Sequence, residues 1–395
     1  MKSEWNEVEL SEVADLTVGF VGTMASHYTD KGILFLRSTN IEPFNIKMED
    51  IKYISYEFNE TIKKSQLNPD DVVIVRTGKP GACTVIPQKD EPWNCSDLVI
   101  IHPNKQKVNP LYLASYINLA SGVINAHLVG AVQQHFNVGA AKKMKIQLPS
   151  VDIQNRIAAI IQGLNRKIRL NKKINDNLEQ QAQSYFQELF INDADPKWTT
   201  GTISDLGAVV GGSTPSKAKP EYYTESGIAW ITPKDLSINK SKFISHGEND
   251  ITELGLKNSS AAIMPEGTVL FSSRAPIGYI AIAAGEVTTN QGFKSVVPKP
   301  EIGTPFVYFF LKHNLPVIEG MASGSTFKEV SGSTMKNIPA VIPDAETLAR
   351  FNDFCTPIFV QQRILEEQSQ SLAALRDNLL PKLMSGEIDV SDIQL

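Results

Sequence analysis

Apolar residues recur at seven-residue intervals in two long stretches of the chain, residues 151–190 and 345–385. In the first stretch, two such series lie four residues apart, as expected for a helix that packs against a partner helix along one seam. The seam covers about 33 residues, or about 50 Å at 1.5 Å per residue. Its predicted members are Ile157, Ile161, Leu164, Ile168, Asn171, Asn175, Leu178 and Tyr185.

The second stretch has one apolar series at strict sevens and another placed three residues further on. Its predicted seam consists of Ile358, Leu365, Leu372, Leu375 and Leu379. Both seams carry amide side chains near the middle, where a buried Asn or Gln fixes the register of paired helices at some cost in stability. Pro357 indicates a kink or a restart. We predict that the two helices pair as a long antiparallel coiled coil; the alternative is that each helix covers only its own half's core.

Short apolar runs bounded by turn residues predict strands in the remaining segments. They read ILFLRSTNI, DVVIVRTG and DLVIIHP in the first half, and IAWITPKD, GTVLFSSRAP and YIAIAA in the second. Two similar helices are predicted to begin at Asn109 and Thr304, each of which can cap free N–H groups ahead of a proline. In both halves, strands separated by turn residues are accompanied by one or two helices and followed by a long helix, which indicates an α+β fold.

These elements occur twice in the same order, which indicates an internal duplication. WNEVELSEVADLTVGF from Trp5 corresponds to WTTGTISDLGAVVGG from Trp198, and the segments around Arg76 and Arg274 correspond next. We predict two halves of roughly 195 residues, related by a pseudo-twofold axis, whose paired helices hold two mixed α/β domains apart. The predicted boundaries are residues 1–150 and 196–343 for the two domains, and 151–195 and 344–395 for the two helical segments.

Composition is ordinary for a globular protein, with 42% hydrophobic and 21% charged residues. We expect a cytoplasmic protein without a membrane segment, because no long apolar run or secretory signal is present and the three cysteines are too few for a disulfide framework. The formal net charge of −5 argues against a simple nucleic-acid binder. It does not exclude one, since affinity depends on the local Lys and Arg contacts with phosphates.

Catalytic motifs do not account for the chain. The stretch RTGKPGA is similar to a phosphate-binding loop, but Val73 stands where that motif needs Gly and Pro80 stands where it needs Ser or Thr. No metalloprotease or serine-hydrolase motif is found, and the six histidines are scattered. We therefore expect no intrinsic catalysis and no metal site.

Recognition is the remaining class of function, and loops at equivalent places in both halves are the candidates. Arg can bridge two acceptors on guanine, and Asn or Gln can do so on adenine. The candidates are Arg37, Ser38, Asn40, Arg76, Thr77, Lys79, Gln133, Gln134 and His135 in the first half, and Lys234, Ser273, Arg274, Ser325, Thr326 and Lys328 in the second. Each loop alone could be an ordinary solvated turn, but a duplicated scaffold with divergent loops suits two different short sequences.

Several stretches resemble the specificity subunits of Type I restriction-modification systems. They include the segments from Trp5 and Trp198, DDVVIV, GTVLFS, and KIQLPSVDIQNRIAAII at the end of the first half. The C-terminal LRDNLLPKLMSGEIDV, from Leu375, is the most specific of them. The resemblance extends over essentially the whole chain.

This resemblance implies that two target-recognition domains each read one half of a bipartite, asymmetric site in double-stranded DNA. It further implies that the helices set the spacer length and dock two methyltransferase subunits, which bind S-adenosylmethionine. Restriction subunits that use ATP and Mg²⁺ would complete the complex, and this chain would itself carry no cofactor. Two alternatives stay open: an adaptor with two protein-binding domains joined by a coiled coil, and a free-standing methyltransferase, which the missing cofactor loop disfavours.

Overall fold

The computed structural model describes residues 5–78, 80–128, 137–324 and 328–393. It consists of two compact units. The first unit comprises residues 1–169 together with 370–395, and the second comprises residues 170–369. The predicted division into four segments stays a prediction.

The first unit contains a four-stranded sheet in the order β10-β9-β12-β2 and a five-stranded sheet in the order β3-β7-β4-β11-β8. Its strands are β1 (Asn6–Glu9), β2 (Ala14–Val18), β3 (Tyr28–Thr29), β4 (Ile33–Leu36), β5 (Ile41–Glu42), β6 (Asn45–Ile46), β7 (Lys52–Ile54), β8 (Gln66–Leu67), β9 (Val72–Val75), β10 (Cys83–Val85), β11 (Trp93–Cys95), β12 (Leu98–Pro103) and β13 (Lys145–Leu148). Its helices are α1 (Tyr56–Thr61), α2 (Pro110–Leu128), α3 (Val138–Lys142), the beginning of α4 (Val151–Gln187) and the end of α11 (Ala345–Met384).

Strand β9 shows why the predicted strands are continuous apolar runs. Val72 and Ile74 face one hydrophobic cluster, which also holds residues of α2 and α4. Val73 and Val75 face a second cluster on the other side of the sheet, together with Leu36 of β4. Because both faces of the strand are covered, every position is apolar instead of every second one.

The second unit contains a sheet in the order β15-β23-β20-β21-β18 and another in the order β16-β19-β17-β22. Its strands are β14 (Thr199–Thr202), β15 (Gly207–Gly211), β16 (Tyr223–Thr224), β17 (Ile228–Ile231), β18 (Phe243–Ile244), β19 (Asn249–Ile251), β20 (Val269–Ser273), β21 (Ile277–Ala283), β22 (Thr288–Thr289), β23 (Lys294–Pro298) and β24 (Pro339–Ile342). Its helices are the rest of α4, α5 (Ile203–Leu206), α6 (Pro233–Ile238), α7 (Glu253–Lys257), α8 (Thr304–His313), α9 (Leu315–Gly320), α10 (Gly332–Lys336) and most of α11.

The two units share one strand topology, which confirms the predicted duplication. The order β10-β9-β12-β2 in the first unit matches β21-β20-β23-β15 in the second. Likewise β3-β7-β4-β11 matches β16-β19-β17-β22, including the parallel pairs β4–β11 and β17–β22. The units differ at sheet edges, where β8 is added in the first and β18 in the second.

The helix starts differ between the two units. In α2 the prediction is confirmed, because Oδ1 of Asn109 accepts the backbone N–H groups of Leu111 and Tyr112. In α8 the predicted cap is wrong, since Gly303 holds the N-cap position at a φ of 82°. The Thr304 hydroxyl instead donates to the backbone oxygen of Gly267.

Helices α4 and α11 lie side by side in antiparallel directions within the second unit. The amide of Asn171 reaches Gln368, and the amide of Asn175 reaches the backbone oxygen of Gln362, so residue numbers rise on one helix as they fall on the other. Both helices are continuous over 37 and 40 residues respectively. The predicted restart at Pro357 is therefore wrong, and the proline is accommodated within α11.

Candidate nucleic-acid interface

Two loops of the first unit converge on Asp97, which lies between β11 and β12. Its carboxylate pairs with Nη1 of Arg76 at 3.1 Å and accepts the Thr77 hydroxyl at 2.7 Å. Its backbone oxygen accepts the hydroxyl of Ser38 at 3.4 Å. Since Ser38 follows β4 and Arg76 follows β9, the structure brings together two loops that were predicted separately.

Arg37 lies at the start of this cluster and is held by a second acid. Its Nη2 pairs with the carboxylate of Asp50 at 2.9 Å. Hydrogen bonds from Lys52 and Arg37 lower the pKa of Asp50 to about 2, so the acid stays charged. The Nε atoms of Arg37 and Arg76 are buried without a hydrogen-bond partner among the described residues. Each guanidinium has five N–H donors, so neither is saturated by its acid.

Asn40 is placed for a structural task rather than for recognition. It is buried, its Oδ1 accepts the backbone N–H of Arg37, and its Nδ2 donates to the backbone oxygens of Lys47 and Glu49. These bonds hold the loop after β4 in shape, which in turn positions Arg37.

The second unit repeats the arginine position with a different acid. Arg274 follows β20 as Arg76 follows β9, and its Nη1 pairs with Glu329 at 3.4 Å. Glu329 also pairs with Lys294 of β23 at 3.4 Å. The preceding Ser273 is fully buried, and its hydroxyl donates to the backbone oxygen of Gly292. This hydrogen bond ties the segment before Arg274 to the segment that contains Gly292.

Lys234 lies in the first turn of α6, a helix whose start is capped by side chains. Asp235 accepts the backbone N–H and the hydroxyl of Thr232 through one carboxylate oxygen and the N–H of Glu248 through the other. Lys234 is exposed and forms an ion pair with Glu248. The cationic side chain of Lys234 thus lies at the capped start of the helix that follows β17, and Arg37 directly follows the equivalent strand β4.

Part of the predicted set lies outside the described residues. These residues are Lys79, Gln133, Gln134, His135, Ser325 and Thr326. Lys328, at the edge of that set, is described and exposed.

Asp97, Glu329 and Lys294 belong to the two clusters but were not among the predicted residues. An isolated acid in a loop has no sequence signal of its own, because most such acids are solvated. The structure does distinguish Asp97, since its φ of 51° is unusual for a residue other than glycine. That conformation is visible only in the structure.

The helix seams follow the predicted heptads on α4. Ile157, Ile161 and Asn171 are buried, whereas Leu164, Ile168, Asn175, Leu178 and Tyr185 are half-buried.

On α11 the predicted series at sevens also faces the contact. Leu365 is buried, and Ile358, Leu372 and Leu379 are half-buried. In the companion series three residues on, Leu375 is 46% exposed, although Phe354 and Gln368 of the same series contact Tyr185 and Asn171 of α4. A further series of buried or half-buried positions lies four residues on and comprises Cys355, Gln362, Ser369, Arg376 and Leu383. It contains mainly polar residues, so a search for apolar heptads passes over it.

The described residues do not form a cluster of three or more His, Cys, Asp or Glu that could hold a metal ion. Among the same residues, no helix combines the length and the apolar character that a membrane crossing requires.

Comparison with known proteins gives two matches to one family model along the chain. The model of the Type I restriction modification DNA specificity domain matches residues 2–180 and again residues 196–382. The two matched segments correspond to the two repeats, and together they cover most of the chain.

Curated relatives and one solved structure agree with this match. The Type I restriction enzyme MjaIX specificity subunit of Methanocaldococcus jannaschii is 39% identical over 194 residues, which are 47% of this chain and 45% of that protein. The chain thus matches less than half of that relative's length. The HindI specificity subunit of Haemophilus influenzae is 21% identical and aligns with 98% of this chain and 100% of its own. The solved S subunit from M. genitalium shares the fold, with a TM-score of 0.62 and 15% identity over 97% of this chain and 96% of its own.

Proposed function

Because the chain belongs to the Type I restriction-modification specificity family and carries its DNA specificity domain twice, we propose that each domain reads one half of a bipartite, asymmetric site in double-stranded DNA. Among the described residues, the base contacts in this proposal are Arg37, Ser38, Arg76 and Thr77 in the first unit, and Lys234, Arg274 and Lys328 in the second. The proposal also keeps the predicted base contacts that lie outside the described residues, which are Lys79, Gln133, Gln134, His135, Ser325 and Thr326. Asn40 and Ser273 support these loops from the interior.

The observation that carries this proposal is the repeated arginine. Arg76 and Arg274 follow equivalent strands, β9 and β20, and each pairs with a carboxylate from another loop. Side chains around them differ between the units, with Thr77 and Asp97 in one and Lys294 and Glu329 in the other. A common strand framework with two different polar surfaces is what reading two unlike half-sites requires.

The chain acts in this proposal as a non-catalytic subunit. Two methyltransferase subunits, which bring S-adenosylmethionine, dock on the paired helices. Restriction subunits that use ATP and Mg²⁺ join them. The chain's net charge of −5 supports this division of labour, since these partners would supply much of the cationic surface that holds the DNA phosphates.

A domain exchange tests the proposal. Residues 1–150 are replaced by the corresponding domain of another specificity subunit, and the hybrid is co-expressed with the methyltransferase subunits. Sequencing of methylated adenines should show one half of the site replaced and the other half kept. An unchanged site, or a change in both halves, would contradict the proposal, and an adaptor that binds only proteins would leave the methylated sequence unaltered.

A further inference from the structure

The ammonium group of Lys242 is enclosed where the second recognition domain meets both long helices of the second unit. The Lys242 side chain is 7% exposed, and its Nζ lies 2.8 Å from Oε2 of Glu179 on α4. It also lies 2.8 Å from Oε1 of Gln362 and 3.3 Å from the ring centre of Phe359, both on α11. One domain residue thus joins both helices through an ion pair, a hydrogen bond and a cation–π contact.

Neighbouring groups complete this cluster. Glu179 also pairs with Lys312 of α8 at 2.6 Å and accepts the Tyr308 hydroxyl at 3.2 Å. Burial lowers the pKa of Lys242 to about 8, although Glu179 acts in the opposite direction. Burial would raise the pKa of Glu179, but the two lysines outweigh it and lower the value to about 2. Both partners of the buried ion pair are therefore charged at neutral pH.

Glu366 of α11 accepts hydrogen bonds from the backbone of the segment that carries Lys242. Its two carboxylate oxygens accept the N–H groups of Lys242 at 2.9 Å and Phe243 at 3.0 Å. The domain is consequently held by its main chain as well as by its side chain, which restricts rotation about a single contact point.

The first unit has a matching contact in which the cation and the ring have changed places. Arg376 of α11 lies over the ring of Phe44, 5.0 Å from its centre, and donates to Oδ1 of Asn165 on α4 at 2.9 Å. Phe44 lies 32 residues before Arg76 (76 − 44), and Lys242 lies 32 residues before Arg274 (274 − 242). The domain therefore supplies the ring in the first unit and the cation in the second, at the same place in the repeat.

Spacer length in a bipartite site is a geometric quantity that such contacts can control. Each added base pair moves one half-site by about 3.4 Å and rotates it by about 35° around the duplex. A domain fixed to the helices at a buried, hydrogen-bonded point cannot follow that rotation without losing the contact. A domain fixed loosely can follow it.

We propose that Lys242 with Phe359 and Glu179, and Arg376 with Phe44, are positioning contacts that restrict the complex to a single spacer length. The inference rests on the proposed function, because it takes the two domains to read two half-sites. It assigns the spacer choice to the domain–helix anchors as well as to the length of the helices.

Variants of the full chain, assembled with its methyltransferase subunits, test this. Lys242→Met removes the charge and keeps a flexible apolar chain, while Glu179 retains Lys312. Methylated sites are sequenced, and binding is measured on duplexes whose spacer is one base pair shorter, unchanged or one longer. We expect the preference for the native spacer to fall about tenfold, with both half-site sequences unchanged. Lys257→Met, at an exposed ion pair with Glu253, is the matched control and should leave the preference intact.

Two further variants keep the test decisive if Lys242→Met lowers the amount of folded protein. Phe359→Leu preserves an apolar side chain but removes the ring, and Arg376→Met removes the equivalent contact of the first unit. Both should relax the spacer in the same way. An unchanged spacer preference in folded variants would overturn the inference while leaving the proposed function in place, whereas a wild-type complex without a bipartite site would overturn the proposed function itself.

Discussion

The Nδ2 atom of Asn171 donates a 2.8 Å hydrogen bond to Oε1 of Gln368 on the facing helix, while Oδ1 of the same Asn171 is buried and accepts no hydrogen bond from the described residues. The side-chain nitrogen of Asn171 thus has a hydrogen-bond acceptor, whereas its side-chain oxygen has no donor among the described residues. A buried polar atom without a partner costs stability, and such residues are kept in paired helices because they fix the register.

Asn171→Leu should therefore raise the free energy of unfolding, by about 1 kcal/mol, because it removes the orphaned oxygen from the interface. Gln368 is exposed and exchanges its lost partner for water. Urea denaturation measures the change. Asn165→Leu is the contrasting variant and should lower stability, since Oδ1 of Asn165 accepts a charged hydrogen bond from Arg376. Equal effects of the two variants would contradict this account of the seam.

Arg76→Ala should relax one base position in one half-site, and Arg274→Ala should do so in the other. Loss of a bidentate contact with guanine corresponds to about 1–3 kcal/mol of discrimination at that position. Sequencing of methylated adenines gives the half-site profile, and binding to single-base variants gives the magnitude. A uniform loss of affinity across all sequences would instead identify these arginines as phosphate contacts.

Glu179 makes the second unit sensitive to acid. Its pKa is lowered from the ordinary 4.5 to about 2, so its contribution to stability is complete above pH 4.5 and is lost as the pH falls towards 2. At pH 7 the free energy of unfolding of the wild type should exceed that of Glu179→Gln by on the order of 3 kcal/mol. This difference should shrink steadily below pH 4.5. Denaturation at several pH values tests the sign; a difference that grows on acidification would refute it.

Gly212 lies very close to the backbone at the end of β22 and of the residue that follows it. A Cβ atom there would stand 2.0 Å from the backbone oxygen of Asn290 and 2.5 Å from that of Thr289. Gly212→Ala should therefore reduce the free energy of unfolding by about 1–3 kcal/mol. The melting temperature should fall accordingly. Gly285→Ala, whose Cβ would meet nothing within 4 Å, is the matched control and should be nearly neutral.

Much of the fold was accessible from the sequence because its signals are strong and local. Residues 72–75 and 269–271 are uninterrupted apolar runs, and they lie in inner strands of their sheets. The α4 seam was found because Ile157 and Ile161 are apolar at heptad positions. On α11 the same reasoning selected Leu375, an exposed apolar residue, over Gln362, a buried polar one. Hydrophobic periodicity cannot recognise a seam whose central positions are an amide, a serine and an arginine.

The sequence predicted the candidate interface only in outline. Equivalent positions in the two halves pointed to Arg76 and Arg274, because the duplication supplied a comparison within one chain. The acids that hold them come from other loops, Asp97 from between β11 and β12 and Glu329 from beyond α9. Such meetings depend on how distant segments converge, which no local pattern encodes. Lys242 was missed for the same reason.

The pairing of β1 with β13, and of β14 with β24, has a consequence for inheritance. Asn6 pairs with Leu148, and Thr199 pairs with Ile342. In both halves, the strand that begins the domain therefore lies beside the strand that ends it. A gene fragment that encodes everything between such neighbouring points can be exchanged by two crossovers, and the recipient ends already lie at the right separation to accept it. Recombination can thus replace one half as a cassette and create a new combination without remaking the rest of the molecule.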